Sequence, residues 1–339
     1  MNWESLWYGP PTWRSAVLAP LLAPLSWAYA AGVAARDATF SLGLRRPVRI
    51  DGATVVSVGN VVVGGAGKTP VTIFLARWAR ACGRTVAVLS RGYGRANVID
   101  SVHFSASNLP PVEQVGDEPR LIARRAPGVE VCVAASRAEA GLAARRRGAD
   151  FLILDDGFQH RQLHRDVDLV VLSEVGNGHR LPWGPLREGP AALARATLLV
   201  GGDGASGAPV QAKTVVSCLV DARGQQHPLD LVRGRAVVLL TGIARPWRVT
   251  RTLESLGAQV VDVQAYADHH PFTSRELELA VRSAERHAAL VITTEKDRER
   301  LPESFEAFAP RLDLELTQGL DALALALGLD KGLVPTAQG

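Results

Sequence analysis

The sequence predicts an α/β protein: a parallel sheet with helices on both faces, a second, smaller α/β unit after it, and an apolar helix in front. Three observations predict this. An apolar run ends in a glycine-rich turn, Val58-Gly59-Asn60-Val61-Val62-Val63-Gly64-Gly65-Ala66-Gly67-Lys68-Thr69-Pro70, and a helical pattern follows it. A second run, Phe151-Leu152-Ile153-Leu154, ends in the paired acids Asp155 and Asp156. Strand and helix patterns alternate around both, as a parallel sheet with right-handed crossovers requires.

Taken in order, residues 15–35 carry no charge and lie between Arg14 and Arg36, with Trp3, Trp7, Tyr8 and Trp13 upstream and Arg45, Arg46 and Arg49 downstream. A bilayer core needs ~20 apolar residues. Aromatics on one side and arginines on the other match an interfacial belt and a cytoplasmic flank. Pro20 and Pro24 leave open whether the segment spans the membrane or lies in its interface, and its alanine content leaves a buried soluble helix as the alternative.

In the glycine-rich turn, backbone N–H groups can approach phosphate oxygens, Lys68 supplies a point charge for the β/γ-phosphates, and the Thr69 hydroxyl can ligate Mg²⁺. This makes the sheet P-loop NTPase-like, with Gly64, Gly65, Ala66, Gly67, Lys68 and Thr69 as the nucleotide-binding set. The plain motif would put its first glycine at Val62, so Gly64 and Gly65 supply the flexibility instead. Beyond Pro70, which a first helical turn tolerates, Val71, Phe74, Leu75, Trp78 and Ala79 share one helical face.

A strand over 85–89 leads into Ser90-Arg91-Gly92-Tyr93-Gly94. Gly116-Asp117-Glu118-Pro119 opens a helix, where the acids read equally as a cap or as a base near a phosphate site. A strand over 129–134 and a helix over 137–147 precede the acid pair, which matches a Walker B strand whose aspartates hold Mg²⁺. His160 and His164 lack further zinc ligands at suitable spacing. Strands over 168–172 and 197–200 flank a proline-rich loop carrying Arg187.

In the second half, strands over 215–220 and 236–240 around Gly224 suggest a two-stranded link. A helix over 249–256, a strand over 260–263, the polar loop Tyr266-Ala267-Asp268-His269-His270 and a strand over 288–293 ending at Thr294-Glu295-Lys296-Asp297 form the smaller unit. The expected organisation is an N-terminal helix (1–36), a P-loop domain (37–214), a smaller α/β domain (215–310) and a C-terminal segment (311–339).

At 339 residues the chain has room for about two domains. Its net charge of +4 comes mostly from scattered arginines, with no basic run interleaved with aromatics, which argues against nucleic acid. Cys82, Cys132 and Cys218 lack metal-ligand spacing and read as small hydrophobes in a reducing compartment.

In order, the blocks Gly64–Pro70, Leu89–Tyr93, Gly116–Pro119, Asp155–His160, Thr241-Gly242-Ile243-Ala244-Arg245-Pro246, Asp268-His269 and Thr294–Asp297 resemble the tetraacyldisaccharide 4'-kinases of lipid A synthesis. The resemblance runs to about residue 300. It implies a bacterial enzyme at the cytoplasmic face of the inner membrane that uses ATP and Mg²⁺ to phosphorylate the 4'-hydroxyl of an acylated disaccharide phosphate lipid, with no obligatory protein partner. It also implies roles: Lys68 and Thr69 on the nucleotide, Asp155 and Asp156 on the metal, Asp117 as base for the sugar hydroxyl with His269 as its dyad partner. Glu118, His160 and Arg187 fall in matching motifs on the substrate side, and Glu295 on the nucleotide side. Rival readings are a P-loop switch or partitioning ATPase, whose signature lysine before the glycines is here Val63, and a membrane-tethered scaffold without chemistry.

Overall fold

A computed structural model describes residues 3–10, 12–65, 67–95, 101–202 and 207–335. Ala66 and part of the 201–209 excursion lie outside them. The chain opens with α1 (Trp3–Tyr8) and α2 (Trp13–Ser41), then runs β1 (Thr54–Gly59), α3 (Lys68–Ala81), β2 (Val86–Ser90), β3 (Val102–Phe104), α4 (Val112–Val115) and α5 (Asp117–Arg125). Next come β4 (Glu130–Val133), α6 (Arg137–Arg146), β5 (Phe151–Asp155), β6 (Val167–Leu172), β7 (Leu198–Gly201), β8 (Val210–Val220), β9 (Gln226–His227) and β10 (Ala236–Thr241). The chain finishes with α7 (Pro246–Ser255), β11 (Gln259–Ala265), α8 (Ser274–His287), β12 (Leu290–Ile292), α9 (Glu295–Arg298), β13 (Ala309–Gln318) and α10 (Leu320–Leu327).

The large sheet has the order β13-β8-β7-β6-β1-β5-β2-β4-β3, with β9 on β8, and the small one β11-β10-β12. From β8 through β4 the pairs are parallel; β3 and β13 run antiparallel at the two edges. The strands β2 and β5 are buried throughout and β1 from Val55 on, which their mostly apolar runs dictate, since helices cover both faces. On one face α3 and α5 bury Phe74, Leu75, Trp78 and Ile122; on the other α6 buries Ala140 and Ala144 against Leu89, Leu152 and Leu154. Trp78 is fully buried and its indole N–H donates to Asp330 O at 2.8 Å, so the chain's end is stapled onto the phosphate-loop helix. Truncating such a side chain costs about 3–5 kcal/mol.

Two details differ from the sequence reading. The strands on either side of Gly224 do not pair with each other: β8 belongs to the large sheet and β10 to the small one, and the hairpin at Gly224 is β8 with the two-residue β9. The long antiparallel partner of β8 is β13, which returns from the small unit to the large sheet. The polar side chains Gln211 and Lys213 conceal the first half of β8, whose pleat alternates between core and solvent.

The helix α2 extends past residue 36 to Ser41, with both prolines inside it. Residues 17–41 are long and apolar enough to cross a membrane, and the window's mean hydropathy is 1.5. Trp13, Val17, Leu21, Leu25 and Trp27 are exposed. The rest of α2 docks on the proline-rich loop: the Ser26 hydroxyl donates to Arg180 O (3.0 Å) and accepts from Trp183 N (3.2 Å), and Arg36 lies 3.2 Å from the buried Glu188 carboxylate.

Candidate functional site

Register alone brings the two strongest sequence signals together. β1 and β5 are neighbours with Val58 opposite Asp155, so the glycine turn and the acid pair leave the sheet side by side. The close approach needs Gly59: a Cβ there would sit 2.4 Å from Phe158 Cβ. Gly67, at φ +76°, caps α3 from the left-handed region that only glycine enters at no cost. Lys68 then opens α3, its Nζ donating to Asn60 Oδ1 at 3.1 Å and lying 3.3 Å from Asp156 Oδ1.

Asp155 is 4% exposed and accepts the Thr72 hydroxyl at 3.1 Å. Burial first, then the charges of Glu118 and Asp156, push its carboxyl up to about 7. Burial pushes Asp156 the same way, but Lys68 and Arg187 outweigh it and hold Asp156 below the usual carboxylate range. Arg187 NH1 donates to Asp156 Oδ2 at 2.7 Å. Its loop is tied to the glycine turn, because Arg187 N donates to Val61 O and Val63 N to Pro185 O, both at 2.8 Å. Asp156 Oδ1 is buried and makes no aligned hydrogen bond despite the nearby ammonium. Two adjacent carboxylates with such an orphaned oxygen form a hard-oxygen donor set that fits Mg²⁺.

A second group forms where the two sheets meet. Asp117, the first residue of α5, is 2% exposed, and its own Oδ1 accepts Glu118 N at 2.8 Å. His269 Nδ1–H donates to Asp117 Oδ2 at 2.9 Å, which leaves Nε2 to accept from Lys296 Nζ at 3.2 Å, so the neutral ring fits in that tautomer. Arg300 Nε lies 3.3 Å from Asp117 Oδ2, and the same guanidinium binds Asp297, Gly242 O and His270 O. Burial would raise the Asp117 carboxyl, yet the His269 hydrogen bond with Lys296 and Arg300 holds it below its usual value. The fully buried Asp297 fixes this end of the small sheet by accepting from Thr241, Thr294 and Gly242 N. Of the three non-glycine residues with positive φ among the described residues, two are Asp156 (51°) and His269 (62°), strained positions that cluster where function is built.

The two groups adjoin. Glu118, 3.2 Å from Lys296 Nζ, is among the charges that raise Asp155, so α5 carries one acid toward each. Glu295 is engaged elsewhere: its carboxylate takes Arg125 NH1 at 2.6 Å and Leu312 N at 3.1 Å, which ties α9 to α5 and β13. His160 lies in the turn after Asp156, and burial with Arg137, Arg165 and Arg91 pushes its ring down to about 4. Sequence reasoning overlooked Thr72, Lys296 and Arg300. Lys296 sat inside a quoted motif, and Arg300 lies one turn beyond Asp297, a spacing that places both on one side of a helix.

A family model described as "Tetraacyldisaccharide-1-P 4'-kinase" matches residues 18–327. Tetraacyldisaccharide 4'-kinase of Anaeromyxobacter dehalogenans (strain 2CP-C) is 44% identical over 330 residues, covering 88% of this chain and 87% of that one. The protein of the same name from Anaeromyxobacter sp. (strain Fw109-5) is 43% identical, covering 96% and 95%. That from Syntrophus aciditrophicus is 40% identical, covering 87% and 88%. The crystal structure of LpxK from Aquifex aeolicus in complex with ATP superposes with a TM-score of 0.76 at 27% identity, over 95% of this chain and 99% of that one. With a phosphate loop beside an acid pair, a buried aspartate held by a histidine, and this extent of likeness, the chain belongs to the tetraacyldisaccharide 4'-kinase family.

Proposed function

We propose that the protein transfers the γ-phosphate of ATP to the 4'-hydroxyl of a tetraacyl glucosamine disaccharide 1-phosphate, with Asp117 as base. The observation that carries this reading is the Asp117–His269 pair, buried next to the acid pair and yet outside it. Phosphoryl transfer asks a protein mainly for positioning and charge neutralisation. Asp117, held ionised, takes the sugar hydroxyl's proton as the bond forms; His269 fixes which oxygen faces the acceptor, and Lys296 keeps the ring in the required tautomer. Lys68 and the N–H groups of the glycine turn balance charge on the transferring phosphoryl. Thr69, Asp155 and Asp156 would hold Mg²⁺, which supplies further neutralisation when bound. Arg187 orients Asp156, and Glu118 and His160 face the acceptor side.

The exposed apolar side of α2 supports attachment to the membrane, with the arginine-rich flank and the site on the cytoplasmic side, so that acyl chains stay in lipid while the sugar head enters. The division into a helix (1–36), a P-loop domain (37–214), a smaller domain (215–310) and a C-terminal segment (311–339) is part of this proposal, and the two separate sheets support it, although β8 crosses the 214/215 boundary and β13 returns to the large sheet. Purified protein incubated with Mg²⁺-ATP and the disaccharide monophosphate lipid is expected to give a bisphosphorylated lipid. ATP hydrolysis stimulated by a protein, with no lipid product, would instead favour the switch reading.

A further inference from the structure

We infer that His103, Glu130 and Cys132 form a structural site for a divalent cation of the zinc type at the β3 edge of the large sheet. β3 is the outermost strand and runs antiparallel to β4, with His103 directly opposite Cys132. Directly opposed residues share a face of the sheet, and so does Glu130, two places before Cys132. Phe104, Val131 and Val133 alternate with them into the core beneath α3 and α5, which leaves the three ligand types together on the side of α6. Their donor atoms, a ring nitrogen, a carboxylate oxygen and a sulfur, lie within 4.8 Å of one another. His103 Nδ1 is 3.0 Å from Cys132 Sγ and 3.6 Å from Glu130 Oε1. Ligands about 2.0–2.3 Å from a tetrahedral zinc stand roughly 3.3–3.8 Å apart, so these three nearly span one face of that tetrahedron and solvent supplies the fourth corner.

What asks for a metal is the hydrogen bonding around His103. Arg147 NH2 lies 2.5 Å from Nδ1, so that nitrogen carries no proton. Nε2–H then donates to Ser101 Oγ at 3.0 Å, the kind of outer hydrogen bond that fixes the tautomer of a metal-binding histidine. Nδ1 has one lone pair, yet the Arg147 guanidinium and the Cys132 thiol both approach it. A dication takes that lone pair together with the sulfur, whose proton passes to solvent, and the surplus of donors disappears. Arg147 already shows that the place attracts a cation: it donates to Glu130 Oε1 at 2.7 Å and to Cys132 Sγ at 3.6 Å. It caps the C-terminus of α6 with its side chain 42% exposed, so it can swing into solvent. Sulfur and imidazole favour zinc over the Mg²⁺ that suits the acid pair. Sequence spacing hides the site, because His103 is 29 residues from Cys132 and only the strand pairing joins them. Bound there, the metal staples β3, from which the chain leads through α4 to Asp117.

Titration of the full-length, metal-free protein with Co²⁺ tests this, since a thiolate-to-cobalt charge-transfer band in the near ultraviolet reports sulfur ligation and the acid pair cannot produce it. One equivalent of Co²⁺ is expected to raise the band, and Zn²⁺ to bleach it and to raise the melting midpoint of the wild type. Cys132→Ser is expected to abolish the band, whereas Cys82→Ser with Cys218→Ser leaves it in place. His103→Ala and Glu130→Gln alter partly exposed side chains that the core does not need, and each should weaken Co²⁺ binding by roughly 100-fold or more. Ser101→Ala should weaken it by about 10- to 100-fold. Arg147→Ala should tighten it, because metal and guanidinium compete for one place. A wild type that gives no band overturns the site, as does a band that survives Cys132→Ser or one that His103→Ala and Glu130→Gln both leave unchanged.

Discussion

The phosphate end and the base end of the site are built in opposite ways. Lys68, Asp155 and Asp156 come from adjacent strands of one sheet, and their meeting is fixed once β1 pairs with β5. Asp117 comes from the large unit and His269, Lys296 and Arg300 from the small one, with 152 residues between the dyad partners. On the proposed mechanism, nucleotide gripping is thus a property of one sheet, while proton abstraction depends on how two units are held together. The first should survive changes that abolish the second.

The largest expected effect tests that separation directly. Asp117→Asn keeps the side chain's shape and removes its basicity, so kcat should fall roughly 10²- to 10⁴-fold while ATP affinity, read by calorimetry, stays within about twofold. A matching loss of ATP binding would merge the two ends into one. A moderate effect concerns pH. With its carboxyl raised to about 7, Asp155 is protonated in the metal-free fold below that pH but only below about 3.8 when unfolded. Its contribution to stability is therefore fully present at low pH and lost as pH rises through about 7. Binding Mg²⁺ must expel that proton, so Mg²⁺ affinity should weaken roughly tenfold per unit below about pH 7 and level off above it. A flat titration between about pH 6 and 8 would remove Asp155 from the metal set.

The smallest functional effect belongs to Glu295. Glu295→Gln should leave ATP affinity unchanged and lower stability by about 1.5–3 kcal/mol in denaturant unfolding, because it removes one of the two carboxylates that pair with the buried Arg125, Asp313 being the other. A loss of ATP binding without loss of stability would return Glu295 to the nucleotide.

This contrast also governs what could be read in advance. The glycine turn, the acid pair and the strands β1, β2, β4, β5, β6 and β7 are written in contiguous residues, since an apolar run with a polar terminus is the same in sequence and in space; the three-residue β3 is too short to show. Asp117 was ambiguous between cap and base because its neighbours are silent about His269; only the resemblance to a family raised it above a helix start. The spacing of Arg300 announces its pairing with Asp297, but nothing in its surroundings announces a partner on α5. Glu295, by contrast, stands in a matching block but turns toward Arg125, since a four-residue helix sends successive side chains in different directions. The tail lies beyond the resemblance and reads as a separate C-terminal segment, yet Leu323, Leu327 and Leu329 join the main core and β13 closes the sheet.

The grip of α2 on the loop of Arg180, Trp183 and Glu188 carries a practical consequence. Deleting α2 to obtain a tractable protein would do more than remove an exposed apolar helix. It would withdraw Arg36 from a carboxylate that is 2% exposed and unseat the segment whose next residue, Arg187, steadies Asp156. A shortened chain with full turnover on a water-soluble acceptor would show that linkage to be idle; a sluggish one would mean the helix is part of the machine.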